Sequence, residues 1–177
     1  MPGEIVIGVD LSPTGLGLVA IPLDWDLNWS RLRAAVYGYP LSRAACVEAH
    51  VARLRSIVAD ACAFVRRCEA THVFLEGYPI MGGRGTFNLH LVCEVGGAMR
   101  LALSERLGLA ARTSPITTAR RLVVGPHRPA GSKALIQTAV REMGAPAAWT
   151  EHEIDAWVAA NYGASELGGC CVAQRAA

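Results

Sequence analysis

The sequence lacks the features of a membrane or exported protein. Although 52% of its 177 residues are hydrophobic, no uninterrupted apolar run approaches the roughly 20 residues that are needed to span a bilayer. Glu4 leads directly into a strand-like run, without a basic segment and a cleavage site before it. We therefore expect a soluble, cytoplasmic protein with no membrane partner. The length fits one domain, which we assign to residues 1–163, followed by a flexible tail at residues 164–177.

The six cysteines do not form a metal-binding pattern. Cys170 and Cys171 are adjacent, but no second pair stands at the spacing that zinc sites use. The remaining cysteines lie within apolar helical patterns and are predicted to be buried thiols: Cys46, Cys62, Cys68 and Cys93. We therefore expect neither structural zinc nor a disulfide framework.

Acidic residues are absent from one long basic stretch. Between Arg106 and Arg141 the chain has seven Lys or Arg residues and no Asp or Glu. Such a stretch suits contacts with nucleic-acid phosphates, although a solvated basic face has the same composition. We predict phosphate contacts from four of these residues: Arg120, Arg121, Arg128 and Lys133, the only lysine in the chain.

Hydrophobic patterning predicts an α/β fold with a five-stranded mixed sheet flanked by helices. Strands are predicted at residues 4–10, 16–21, 33–39, 71–76 and 110–113, and helices at residues 42–69, 86–107, 133–143 and 151–162. The short turn after the first strand predicts an antiparallel hairpin with the second, and we expect the third strand to continue this antiparallel arrangement. The helical connections that follow predict parallel crossovers.

Three carboxylates stand at the boundaries of these elements. Asp10 ends the first strand, Glu76 ends the fourth, and Asp155 lies early in the last helix, with His152 one turn before it on the same face. Each carboxylate alone also fits an Asx turn, a surface position or the N-terminal end of a helix dipole. If the two strands are neighbours, however, the carboxylates converge, and a divalent cation is the usual way to relieve their repulsion. Oxygen ligands favour Mg²⁺ or Mn²⁺, and two such ions about 4 Å apart can promote phosphodiester hydrolysis.

Several segments resemble the RuvC Holliday-junction resolvases of the RNase H-like superfamily. Residues 7–17 (Ile-Gly-Val-Asp-Leu-Ser-Pro-Thr-Gly-Leu-Gly) resemble the opening strand and hairpin of that family, and residues 73–76 (Val-Phe-Leu-Glu) its second acidic motif. Gly96 and Gly97 resemble its small-residue helix. Residues 122–125 followed by Lys133 resemble its basic segment, and residues 152–159 (His-Glu-Ile-Asp-Ala-Trp-Val-Ala) its last motif. The resemblance extends from about Val6 to Ala160.

This resemblance implies an RNase H-like fold and a homodimer that makes paired, symmetric, Mg²⁺-dependent nicks in a four-way DNA junction. It implies two metal ions per active site, ligated by Asp10, Glu76, His152 and Asp155. It also places Lys133 near the scissile phosphate, where the start of a helix suits an anion. In the loop after Glu76, we predict that Tyr78 stacks on a base and that Arg84 contacts DNA.

Three other functions are compatible with these motifs. The hairpin at residues 8–15 also resembles the phosphate-binding hairpin of actin-like ATPases and sugar kinases. Those proteins need two such domains around a nucleotide, and 177 residues are too few for both. A second alternative is a protein that binds branched DNA without cutting it. A third is an RNase H-like nuclease for other branched DNA or for RNA-DNA hybrids, because these substrates are discriminated by groove shape and 2′-hydroxyl contacts that short motifs do not reveal.

Overall fold

A five-stranded mixed sheet lies at the centre of the computed structural model, which describes residues 3–40, 46–77, 86–125 and 133–169. The strands are β1 (Ile5–Leu11), β2 (Gly15–Pro22), β3 (Arg33–Gly38), β4 (His72–Glu76) and β5 (Ala111–Ser114). The helices are α1 (Val47–Arg67), α2 (Thr86–Leu107), α3 (Ile116–Val124), α4 (Lys133–Glu142) and α5 (Glu151–Glu166). A single 3₁₀ turn at Trp29–Arg31 precedes β3.

The strand order is β3-β2-β1-β4-β5. The first three strands pair antiparallel, and β1–β4 and β4–β5 pair parallel. The predicted mixed α/β sheet with an antiparallel start is thus confirmed, and β1 and β4 are neighbours. As a result, the carboxyl ends of β1 and β4 lie side by side at one edge of the sheet.

The two faces of the sheet carry separate hydrophobic cores. Ile7 and Val9 of β1 pack with α1 and α2, whereas Val6 belongs to the core formed with α3, α4 and α5. Because side chains alternate along a strand, Asp10 shares the face of Val6, and Glu76 likewise shares the face of Phe74. Both carboxylates therefore belong to the α5 side of the sheet.

Glycines in the hairpin allow α5 to pack unusually close to the sheet. A Cβ atom added at Gly8 would lie 1.9 Å from the backbone oxygen of Ala156, and one at Gly17 would lie 2.3 Å from the backbone oxygen of His152. Such distances are far inside van der Waals contact, so only glycine permits this approach. The N-terminal half of α5 is in this way brought against β1, the strand that carries Asp10.

The structure differs from the sequence-based prediction at several places. Helix α3 was not predicted, and α5 continues to Glu166 rather than ending near Tyr162. Of the cysteines predicted to be buried, Cys62 and Cys68 are buried, but Cys46 and Cys93 are exposed. Cys46 precedes α1 and Cys93 lies on the outer face of α2, so the apolar residues around them point elsewhere. None of the helices in the described ranges is both long and apolar enough to cross a bilayer.

Candidate metal centre

Three acidic side chains from three elements meet at the edge of the sheet. Asp10 is the penultimate residue of β1, Glu76 is the last residue of β4, and Asp155 lies in the second turn of α5. One carboxylate oxygen from each lies within 4.8 Å of the others. The side chains of Asp10 and Asp155 are only 8% and 4% exposed, and that of Glu76 is 18% exposed. The predicted convergence of these three residues is what the structure shows.

The cluster resists ionisation. Burial raises the pKa of Glu76 to about 9, and repulsion from Asp10 and Asp155 adds to this effect. Burial also raises the pKa of Asp155, even though the neighbouring Lys133 opposes the shift. Three carboxylates in so small a space therefore favour either a bound proton or a cation.

Two basic side chains contact the cluster from α3 and α4. Lys133 Nζ lies 3.0 Å from Asp155 Oδ2 and 3.2 Å from Glu151 Oε2. Arg120 Nη2 lies 3.5 Å from both Glu76 Oε1 and Asp155 Oδ1. Sequence reasoning placed Lys133 beside the site, but it assigned Arg120 to phosphate contacts alone and left out Glu151. No local motif signals the Arg120 contact, because it depends on how α3 packs against α5.

His152 lies beside the three carboxylates and contacts one of them. Its Nδ1 atom is 2.6 Å from Asp10 Oδ2, and this hydrogen bond raises the pKa of the imidazole, an effect that burial opposes. The first turn of α5, which carries His152, is capped: the Glu153 carboxylate accepts a hydrogen bond from the Thr150 backbone N–H, as the capping-box spacing predicts. His152 thus holds Asp10 directly, and its predicted role as a metal ligand stays a prediction.

Of the remaining predicted DNA contacts, the structure describes one, Arg121. Arg121 is exposed on α3, next to Arg120 but outside the carboxylate cluster. Tyr78, Arg84 and Arg128 lie outside the described residues, so their predicted roles stay predictions.

The donor set of the cluster fits a hard divalent cation. All three side chains offer carboxylate oxygens, which Mg²⁺ and Mn²⁺ prefer, and no Cys belongs to the group. A protein that buries three acids together without using them would pay a large desolvation cost for no gain. A metal ion held by Asp10, Glu76 and Asp155 is therefore compatible with both the chemistry and the burial of the site.

Comparison with solved structures identifies the fold. RuvC of Thermus thermophilus aligns with a TM-score of 0.69 and 21% sequence identity, over 94% of this chain and 98% of that chain. T. thermophilus RuvC in complex with a Holliday junction substrate aligns with a TM-score of 0.68 and 19% identity, over 93% and 96% of the two chains. No protein-family model and no curated protein sequence matches this chain. The alignments span nearly the whole of each chain, and the protein therefore has the RNase H-like fold of RuvC.

Proposed function

We propose that the protein is a metal-dependent endonuclease that cleaves four-way DNA junctions. The observation that carries this proposal is the cluster of Asp10, Glu76 and Asp155, buried at the edge of a sheet with the RuvC fold. One of the similar proteins was solved with a Holliday junction substrate, which supports this choice of DNA. A homodimer would present two such sites to one junction and would account for paired symmetric nicks.

Asp10, Glu76 and Asp155 would hold Mg²⁺, with Mn²⁺ as a substitute and His152 as an additional ligand. When bound, two such ions activate a water molecule and stabilise the leaving oxygen of the phosphodiester. The buried edge of the sheet excludes bulk water from the carboxylates, which strengthens their interaction with a cation.

Basic residues of the chain would bind and orient the scissile phosphate. Lys133 begins α4 and its side chain is 45% exposed, so its ammonium group reaches both the cluster and solvent. Arg121 extends the positive surface along α3. With Arg128, Tyr78 and Arg84, which the sequence predicts to contact DNA, these side chains would form the DNA-binding surface around the carboxylates.

The first prediction separates metal-dependent cleavage from DNA binding. Wild-type protein should nick a four-way junction in Mg²⁺ and should stop when EDTA removes the metal. Glu76→Gln should reduce cleavage by at least about 100-fold, because it removes an anionic ligand, while junction affinity changes by less than about threefold. Denaturing gels would measure cleavage, and gel-shift titrations would measure binding.

Glu105→Gln is the matched control for this experiment. Glu105 is exposed near the end of α2, which returns the chain to the opposite edge of the sheet, so this variant should cut normally. Cleavage by Glu76→Gln at the wild-type rate would remove Glu76 from the site. Preference for a flap, a duplex or an RNA-DNA hybrid would assign another substrate, and binding without cleavage in Mg²⁺ and Mn²⁺ would indicate a binding protein.

A further inference from the structure

Arg120 occupies an unusual position for a residue expected to contact DNA. Its side chain is only 14% exposed, and one guanidinium nitrogen lies 3.5 Å from both Glu76 and Asp155. The positive charge thus lies against two of the three carboxylates that could hold a metal ion. Lys133, by contrast, is 45% exposed and touches only Asp155 of the three.

The contacts of Arg120 with the carboxylates are long and incompletely formed. Both distances are at the outer limit of a hydrogen bond. A single guanidinium nitrogen makes both contacts, so neither is the bidentate contact that stabilises Arg–carboxylate pairs. Nε of Arg120 is buried without a hydrogen-bond partner among the described residues. The helix beneath is firmly placed, because Ala119, Val123 and Val124 are buried in the core. A rigid helix therefore holds a weakly bound guanidinium over the cluster.

We propose that Arg120 is a tethered counterion that competes with the divalent metal for Glu76 and Asp155. This inference rests on the metal site of the proposed function. The guanidinium and the metal ion would share the same carboxylate oxygens and repel each other, so each weakens the binding of the other. Metal entry would then release Arg120 from the carboxylates, which leaves its donors free for a DNA phosphate.

Calorimetric titration of the full-length protein with Mn²⁺, in the absence of DNA, tests this competition. Arg120→Met keeps a long side chain but removes the charge and offers no oxygen ligand, so it should bind Mn²⁺ about fivefold more tightly than wild type. Arg120→Lys keeps a charge that is too short and compact to contact both carboxylates, so it should bind more tightly by a smaller factor. If Arg120→Met does not fold, the Mn²⁺ affinity of Arg120→Lys is compared with that of wild type, and tighter binding by the variant supports the competition.

Arg121→Met is the matched control, because Arg121 is the exposed neighbour on α3 and the charge change is the same. Its Mn²⁺ affinity should stay within about twofold of wild type, since surface charges are screened by solvent and salt. Equal or weaker Mn²⁺ binding by both Arg120 variants, relative to wild type, would overturn the proposal.

Junction cleavage, measured in parallel, separates this inference from the proposed function. If wild type binds Mn²⁺ and cuts junctions while the Arg120 variants bind Mn²⁺ no more tightly, only the competition fails. If the predicted order of affinities holds but wild type cuts no junction, the competition stands and the proposed function fails. If neither wild type nor any Arg120 variant binds Mn²⁺, both fail.

Discussion

At the scale of single residues, the predicted metal ligand His152 would link metal binding to pH. Its Nδ1 atom is hydrogen-bonded to Asp10, which raises the pKa of the imidazole above its ordinary value of 6.5. A histidine ligand binds metal only in its neutral form. If His152 is a ligand, its protonation would compete with metal binding, and it would do so at a higher pH than for an ordinary histidine.

The pH profile of cleavage tests the predicted role of His152 as a ligand. As the pH is lowered, wild-type activity should begin to fall while the pH is still above 6.5, because the raised pKa of His152 leaves the ring protonated there. His152→Asp should lose this limb and use Mg²⁺ better relative to Mn²⁺, since a carboxylate is a harder ligand than imidazole. His152→Ala should lose most activity, by at least about tenfold. If His152→Ala cuts as fast as wild type in both Mg²⁺ and Mn²⁺, above and below the pH at which wild-type activity falls, His152 is not a ligand.

At the scale of elements, the glycines of the hairpin determine where α5 contributes to the site. His152 and Asp155 lie on α5, whereas Asp10 lies on β1, so their spacing depends on how closely helix and sheet pack. Gly8 and Gly17 permit backbone contact between the two elements. The site therefore depends on residues that carry no functional group of their own.

A methyl group at Gly17 should separate α5 from the sheet. A Cβ atom there would lie 2.3 Å from the backbone oxygen of His152, which a rigid helix cannot accommodate without moving. Gly17→Ala should destabilise the protein by roughly 1–3 kcal/mol, and should reduce cleavage by at least about tenfold because a small displacement misaligns the carboxylates. Gly38→Ala is the control, since its Cβ atom would meet nothing within 4 Å. Chemical denaturation measures the free energy of unfolding of the two variants, and junction assays measure their cleavage rates. If Gly17→Ala and Gly38→Ala are equally stable and cut equally fast, the proposed role of the glycines is contradicted.

The elements that the sequence predicted well share a simple physical signal. Periodic apolar residues predict the bounds of α2 and nearly those of β1 and β4. The positions of Asp10 and Glu76 at strand ends predict that they meet if the two strands are neighbours, a condition that only the structure establishes. Helix α3 was not predicted because its nine residues include two threonines and two valines, and these β-branched residues favour extended structure. Pro115 before it and Gly125 after it are the signals that could have revealed it. The Arg120 and His152 contacts could not be predicted, since they depend on side-chain positions after helices and sheet have packed.

At the scale of the whole molecule, folding brings together charges that the unfolded chain keeps apart. The carboxylates at positions 10, 76 and 155 are distant in sequence and meet only when β1, β4 and α5 assemble. Arg120 and Lys133 offset part of the repulsion, but Glu76 still has a pKa of about 9. The candidate site therefore lowers the stability of the fold whenever its carboxylates ionise without a metal ion, as expected of a site retained for function.

The stability of the protein in EDTA should consequently decrease as pH rises. Glu76, Asp155 and His152 all have a raised pKa in the folded state, so the folded state binds more protons than the unfolded state. The proton bound by Glu76 stabilises the folded state. This contribution is complete below the ordinary pKa of 4.5 and is lost as pH rises towards about 9. The melting temperature in EDTA should fall by a few degrees between about pH 5.5 and about pH 8.5, and less in Glu76→Gln, which cannot ionise at this position. Saturating Mn²⁺ should oppose the fall in wild type, because metal binds the ionised carboxylates and its stabilisation grows with pH. Scanning calorimetry across this range checks the prediction, and an identical decline in wild type and Glu76→Gln would show that the Glu76 carboxyl does not carry the shift.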